Sequence, residues 1–200
     1  MQLLSELFHL TVFRCRLPRV DGRRIGKYRA DTEKKQGNIG IAYTYNEPLI
    51  SYPFLKECMK RIHKSDMVNV VVSNGTISPS IMLELLPCID AINIDLKGFS
   101  EEIYKKLGGN LANVMTNIKL ALQSCHVELT SLIVPGMNDS EDDMDRQAAW
   151  IASLDPDIPL HITRYFPGYR SAIPPTPLKT FNSLKGIAEK HLHSVYLGNV

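Results

Sequence analysis

The chain has 200 residues, 44% of them hydrophobic, which favours a domain with a buried core and argues against a disordered chain. The net charge is only +2, so we expect no nucleic-acid partner. The longest apolar stretches are strand-sized, well short of the roughly 20 residues that a membrane span needs, so we expect no membrane segment.

The positive charge is concentrated at the start of the chain. Residues 1–37 carry nine Lys/Arg and four Asp/Glu, whereas the remainder carries 14 basic and 17 acidic residues. We interpret residues 1–37 as a separate, irregular basic segment and residues 38–200 as the main domain. A basic segment of this kind could contact nucleic acid or an acidic protein surface, but the interpretation we favour is a solvated, partly disordered arm.

The four cysteines, Cys15, Cys58, Cys88 and Cys125, are far apart in the sequence. No pair has the spacing of metal ligands, so the sequence predicts no metal site built from them. Reduced thiols used as small apolar residues are typical of a cytoplasmic protein, which is the location we expect.

From residue 38 onward, short apolar strands alternate with helical patterns. This order predicts an α/β fold with a parallel sheet covered by helices, either doubly wound or a whole or partial barrel. The predicted strands are Ile39–Tyr45, Met67–Ser73, Ala91–Leu96, Glu128–Val134, Leu160–Tyr165 and Ser194–Leu197. The predicted helices are Tyr52–Ser65, Pro79–Leu86, Ser100–Leu107, Leu111–Ser124, Ser140–Leu154 and Pro177–His191.

Polar side chains recur where these strands end. In parallel α/β folds the carboxyl ends of the strands form the ligand-binding edge. For any one strand taken alone, a structural ion pair, such as Asp95 with Lys97 or Arg164, would explain the polar side chains at its end. The recurrence across five strands favours a ligand site, for which the candidates are Asn46, Glu47, Asn74, Asp95, Lys97 and His161.

The chemistry of this set suits an amino acid joined to a nucleoside. Glu47 offers an acceptor for an amine, and Asn74 offers both a donor and an acceptor for a sugar hydroxyl. Lys97 and Arg164 offer cations for a carboxylate. Phosphate is a poorer fit, because no glycine-rich loop opens a helix here.

Ordered motifs carry a resemblance to a known family. The chain resembles the radical S-adenosylmethionine (SAM) proteins related to pyruvate formate-lyase activating enzyme, and within them the radical SAM component of the AmmeMemoRadiSam system. The matching runs are Gly40–Pro48 (GIAYTYNEP), Asn93–Ser100 (NIDLKGFS), Val134–Ser140 (VPGMNDS), His161–Arg164 (HITR), Pro174–Pro177 (PPTP) and Gly198–Val200 (GNV).

The resemblance implies a partial (β/α) barrel that binds SAM against a [4Fe–4S] cluster. The Gly-Gly-Glu region of the family corresponds to Tyr45-Asn46-Glu47, which implies that Glu47 meets the amine of SAM. Asn74 falls at the ribose-side strand end, Asp95 and Lys97 match an Asp-Leu-Lys motif near SAM, and His161 faces the same pocket. The implied partner is a protein substrate.

The sequence departs from the family in one large respect. The family has a CxxxCxxC cluster motif after its first strand, and this sequence has none. We therefore expect an incomplete barrel that lacks the first strand and the cluster loop, truncated before the Tyr-Asn-Glu-Pro motif and inactive alone. Two alternatives remain: a cluster-free SAM- or nucleotide-binding scaffold, and an unrelated barrel enzyme that uses Lys97 as a Schiff base.

Overall fold

The computed structural model describes residues 39–200 and the backbone of Phe13–Arg14. The basic segment predicted over residues 1–37, with Cys15, otherwise lies outside the described residues. Within the described part of the chain, no helix is long and apolar enough to cross a membrane.

A seven-stranded sheet organises the described residues, with its strands in the order β1-β2-β3-β4-β5-β6-β7. Every neighbouring pair is parallel, and in the described residues the sheet stays open, with β1 and β7 at its edges. The predicted parallel partial barrel is therefore confirmed. The strands are β1 (Phe13–Arg14), β2 (Gly40–Tyr43), β3 (Val68–Ser73), β4 (Ala91–Asp95), β5 (His126–Ile133), β6 (Leu160–Arg164) and β7 (Val195–Gly198).

The sequence led us to expect no strand before β2, but a short strand lies beside it. Phe13 pairs with Ile41 and Arg14 pairs with Ala42, so a strand of two residues lies next to β2 in parallel register. It covers only the middle of β2. Unpaired strand edges promote association with other chains, and this short pairing protects part of the edge.

Helices connect the parallel strands and cover one face of the sheet. They begin where the sequence supplies a suitable cap: Ser100, Asn110 and Ser140 each accept a hydrogen bond from the backbone N–H three residues later. Ser78 lies at the predicted N-cap position but makes no capping bond. The helices are α1 (Tyr52–His63), α2 (Pro79–Leu85), α3 (Glu101–Lys106), α4 (Leu111–Leu122), α5 (Glu141–Leu154) and α6 (Leu178–Ala188), with 3-10 turns at Pro48–Ser51 and Leu86–Cys88.

The two faces of the sheet differ in chemistry. Alternate residues of β5, including Val127, Leu129 and Ile133, pack in the apolar core against the helices. The opposite face, which we call the inner face, holds a small apolar cluster of Ala42, Val70 and Ala91. The remaining inner-face positions on β4, β5 and β6 are largely polar, so the core lies outside the barrel wall and the polar groups inside it.

Truncation of the central core should destabilise the fold strongly. Leu129 is fully buried on β5, whereas Leu83 on α2 is 54% exposed. We expect Leu129→Ala to lower the free energy of unfolding by about 2–5 kcal/mol, because it loses burial and leaves a cavity. Leu83→Ala should change it by less than about 0.5 kcal/mol. Urea unfolding monitored by circular dichroism measures both, and equal effects would contradict this core assignment.

Candidate functional site at the carboxyl edge of the sheet

The parallel register places the ends of β3, β4 and β5 side by side. Ser73 pairs with Ile94, and Asp95 pairs with Thr130. The polar residues that follow each strand therefore lie along a common edge, as the sequence predicted.

The chain leaves β2 through two consecutive residues with left-handed backbone. Tyr45 has φ 70° and Asn46 has φ 50°, a conformation that non-glycine residues adopt rarely. Both side chains are exposed. The resemblance aligns these two positions with the two glycines of the family motif, and the left-handed turn agrees with that expectation. Strain of this kind persists where the surroundings fix it, and Glu47 follows immediately.

The Glu47 carboxylate ties the end of β2 to the end of β3. Its Oε1 accepts from Leu49 N at 3.1 Å and from the Ser73 hydroxyl at 2.9 Å. Its Oε2 accepts from Asn74 N at 2.7 Å. Glu47 thereby also caps the 3-10 turn Pro48–Ser51. A carboxylate with these partners is held in a single orientation.

Asn74 uses its side chain locally. Its Oδ1 accepts from the backbone N–H of Thr76 at 2.9 Å and from the Thr76 hydroxyl at 2.6 Å, so it forms an Asx turn. The fully buried Asn117 on α4 donates to the carbonyls of Gly75 and Ile77 and fixes the rest of this loop. The amide nitrogen of Asn74 has no hydrogen-bond partner among the described residues.

Asp95 and Lys97 form an ion pair, with Lys97 Nζ 2.8 Å from Asp95 Oδ2. This is the structural pairing that the sequence left open, and both side chains remain about one-third exposed, at 32% and 36%. The backbone N–H of Lys97 donates to the Tyr104 hydroxyl. Burial raises the pKa of Tyr104 to about 12, so this hydroxyl stays neutral. A paired, part-exposed Lys97 lacks the apolar surroundings that a Schiff-base lysine needs.

His161 is the second residue of β6 and lies on the inner face. Its Nε2 is 2.6 Å from Glu128 Oε2, and its ring stacks on Tyr196 at 5.3 Å between centroids. His126 Nε2 contacts the other oxygen of Glu128 at 3.1 Å. Strand register places Thr130 between Asp95 and His161. Neighbouring strands are about 4.8 Å apart, so Asp95 and His161 are about 10 Å apart along the sheet.

Glu128 is buried, only 5% exposed. Burial alone would raise its pKa, but hydrogen bonds and charge from His126 and His161 outweigh burial and hold the pKa below its ordinary value of 4.5. Glu128 is thus an ionised carboxylate that accepts hydrogen bonds from the rings of His126 and His161. Each imidazole donates an N–H to the Glu128 carboxylate. The bond from His161 therefore keeps a hydrogen on the Nε2 atom of that ring.

The structure thus groups the predicted site residues in three places along one edge and the adjoining inner face. Glu47 contacts the backbone of Asn74, Asp95 contacts Lys97, and His161 contacts Glu128. Asn46 is exposed beside Glu47. Several polar residues of this edge and inner face were not predicted from the sequence, although the alternation of polar and apolar residues in β5 could have indicated some of them. They are Asn93, Asn117, His126, Glu128 and Thr130.

The described cysteines do not fit a [4Fe–4S] cluster. Cys88 precedes β4 and Cys125 precedes β5, both at the amino edge of the sheet, and Cys58 lies on α1. Cluster ligation requires thiolates, but burial raises the pKa of Cys125 to about 12. Across residues 39–200, no group of three or more His, Cys, Asp or Glu side chains is arranged to hold a metal ion.

Comparison with known proteins decides the family. The model of the "Radical SAM superfamily" matches residues 26–148, which is more than half of the chain. The chain belongs to the radical SAM superfamily. The prediction from the ordered motifs is confirmed at this level.

Two curated proteins illustrate what the chain is similar to in sequence. "Uncharacterized protein MJ0808" of Methanocaldococcus jannaschii is 39% identical over 80% of this chain and 49% of its own length. The "4-hydroxyphenylacetate decarboxylase activating enzyme" of Clostridium scatologenes is 28% identical over 52% of this chain and 34% of its own length. The chain spans half or less of the length of these curated relatives.

Solved structures share the fold of this chain. A domain of pyruvate-formate lyase-activating enzyme from Bacteroides vulgatus aligns with TM-score 0.68 and 18% identity, over 80% of this chain and 99% of that one. Streptococcus suis SuiB bound to S-adenosylmethionine aligns with TM-score 0.64 and 10% identity, over 84% of this chain and 39% of that one. At these identities the likeness shows the fold alone.

The contacts of Glu128 with His126 and His161 should make the free energy of unfolding depend on pH in the acid range. A carboxyl group whose pKa is lowered in the folded state stabilises the protein above its unfolded pKa, and this contribution is lost as pH falls through the folded value. We expect Glu128→Gln to cost about 1–3 kcal/mol at pH 7, because it removes a charged hydrogen bond from a buried site. The difference should shrink below pH 4.5, the ordinary pKa of this group.

Urea unfolding at several pH values measures this effect. Glu84→Gln is the control, because Glu84 pairs with Lys56 on the surface at 3.0 Å and its side chain is 55% exposed. A surface pair of this kind contributes at most about 1 kcal/mol. A constant difference between wild type and Glu128→Gln across the whole pH range would contradict the lowered pKa.

Proposed function

We propose that the carboxyl edge of this chain binds SAM and that the chain derives from a SAM-dependent radical generator of the glycyl-radical-activating type. The observation that carries the proposal is the Glu47 carboxylate, held between β2 and β3 by hydrogen bonds from Leu49, Ser73 and Asn74. Support comes from membership of the radical SAM superfamily and from the motifs along the same edge.

Each of three candidate side chains suits a different part of the SAM molecule. Glu47 retains acceptor capacity on Oε2, which accepts only from Asn74 N, and an amine suits this position. The Asn74 amide nitrogen is available for a ribose hydroxyl. Lys97 donates one hydrogen bond to Asp95, so its ammonium group has other N–H groups that can bind the carboxylate of SAM.

In the family, SAM bound at a reduced [4Fe–4S] cluster supplies the 5′-deoxyadenosyl radical. The chain's own residues bind and orient SAM and exclude water from it. His161 would line the inner wall beneath this edge, with its tautomer fixed by Glu128. A protein substrate is the partner we propose, and the cytoplasm is the location we propose.

Affinity for SAM tests the proposed site. Glu47→Gln replaces an acceptor oxygen with an NH₂ group that repels both Asn74 N–H and an incoming amine. We expect SAM to bind at least about tenfold more weakly, the factor for one lost charged hydrogen bond. Glu57→Gln is the matched control, because Glu57 is exposed and its ion pair is with Lys60 on the surface. Isothermal titration calorimetry measures both, and equal affinities would rule out Glu47 as a SAM ligand.

We also propose that this chain alone does not hold the cluster, since its described cysteines lie away from the carboxyl edge. Anaerobic reconstitution with iron and sulfide should yield far less iron than one cluster per chain and no 5′-deoxyadenosine. Replacing Cys58, Cys88 and Cys125 together with alanine should not change the iron content. Stoichiometric iron with SAM turnover would overturn this proposal.

A second candidate function is a cluster-free SAM- or nucleotide-binding scaffold. The position of the cysteines favours it over catalysis by this chain alone. SAM affinity without any iron dependence would support the scaffold. Borohydride trapping of a carbonyl compound on Lys97, which the Asp95 ion pair argues against, would instead support a Schiff-base enzyme.

A further inference from the structure

A pocket of about 580 Å³ opens at the carboxyl ends of β5, β6 and β7. Its walls are mostly apolar, with Leu132, Val134, Phe166 and Ile173 among them. Its volume is in the range of small-molecule sites, about 300–1,000 Å³. None of the residues assigned to SAM lines it.

Arg164 is the charged residue of this pocket, and no acidic side chain pairs with it in the described part of the chain. Its Nε donates to the Thr176 carbonyl at 2.8 Å, which fixes the plane of the guanidinium. The guanidinium also lies 4.8 Å from the centre of the Phe166 ring. The other N–H groups of Arg164 have no partner among the described residues.

This arrangement contrasts with the other cation at the edge. Lys97 is neutralised by Asp95 at 2.8 Å, but Arg164 is half-buried with its charge uncompensated. Removing a charge from water without a counter-ion is unfavourable, so the site gains most from a ligand that brings a negative charge. A guanidinium fixed in one plane matches the geometry of a carboxylate, which it binds through paired N–H groups.

The pocket is too far from Glu47 to hold the carboxylate of the same SAM molecule. The Glu47 carboxylate lies at the end of β3, where it contacts Ser73 and Asn74, and β3 and β6 are separated by three strand steps in the sheet order. At about 4.8 Å per step the path along the sheet is about 14 Å. The amine and carboxylate of SAM are attached to one carbon atom, so a SAM whose amine contacts Glu47 cannot reach Arg164 with its carboxylate.

We infer that this pocket is a second ligand site, which binds a small apolar or aromatic carboxylic acid with its carboxylate on Arg164 and its apolar part against Leu132 and Phe166. The side-chain amide of Asn199 borders the same pocket and is held by the Arg164 carbonyl. The inference goes beyond SAM binding and does not depend on it.

Two probes of equal shape and different charge test the site. 3-Phenylpropionate carries a carboxylate, and 3-phenylpropanamide is its neutral counterpart. We expect saturable NMR shifts of the Leu132 methyl groups and the Arg164 Nε–H signal with 3-phenylpropionate. The amide should bind at least about tenfold more weakly, the factor for one charged hydrogen bond.

Arg170, in the loop that follows β6, supplies a matched control. It stacks on the exposed Tyr169 ring at 5.1 Å and does not line the pocket. Arg164→Gln and Arg170→Gln lower the net charge equally, so general electrostatic attraction predicts equal effects. We expect Arg164→Gln to abolish the preference for the carboxylate and Arg170→Gln to retain it. Arg164→Lys should retain part of it, because it keeps the charge and loses the paired geometry.

Fold integrity is checked independently by the amide spectrum of each variant. The loop that carries Thr176 keeps its bonds to Tyr165 and Ile133 without Arg164, so Arg164→Gln should fold normally. Equal binding of the two probes, equal losses in Arg164→Gln and Arg170→Gln, or shifts confined to other surfaces would each overturn the inference.

Discussion

The Glu47 carboxylate is the interaction on which the candidate site depends. It joins the turn after β2 to the first residues after β3, through Leu49, Ser73 and Asn74. The left-handed turn at Tyr45 and Asn46 delivers it to this position, and buried Asn117 holds the following loop from the helix side. Charged hydrogen bonds to backbone N–H groups are strong and directional, so this edge is formed before any ligand arrives.

Charge is distributed unevenly along the edge and the inner face. Asp95 compensates Lys97, and His126 and His161 flank buried Glu128, so these groups are satisfied within the protein. Arg164 has no such partner in the described residues. Groups that are already paired need no further charge from a ligand, whereas an uncompensated cation in an apolar pocket is stabilised by a bound anion.

Much of the fold could be predicted from the sequence, because valine- and isoleucine-rich strands alternate with helices that carry recognisable caps. Ser140 followed by Glu141, Asp142 and Asp143 indicated the start of α5 correctly. The pairing of Phe13–Arg14 with β2 could not be predicted, since a two-residue strand has no periodicity to detect.

The candidate site was predicted in part. Polar strand ends indicated the edge, because parallel strands bring their carboxyl ends together. The partner of His161 was missed, since Glu128 follows from strand register across β5 and β6 and not from sequence proximity. Arg164 was considered only as a possible ion-pair or carboxylate partner, and its lack of a partner emerged from the structure.

The most direct test of the account is an amide NMR titration of the full chain with SAM. If one edge binds SAM, the largest shift changes should fall on Asn74, Gly75 and Lys97, whose backbone lies at the carboxyl ends of β3 and β4. The amides of Cys88 and Cys125 at the amino edge should stay unchanged. Changes centred on the amino edge, or no saturable change at all, would contradict the account.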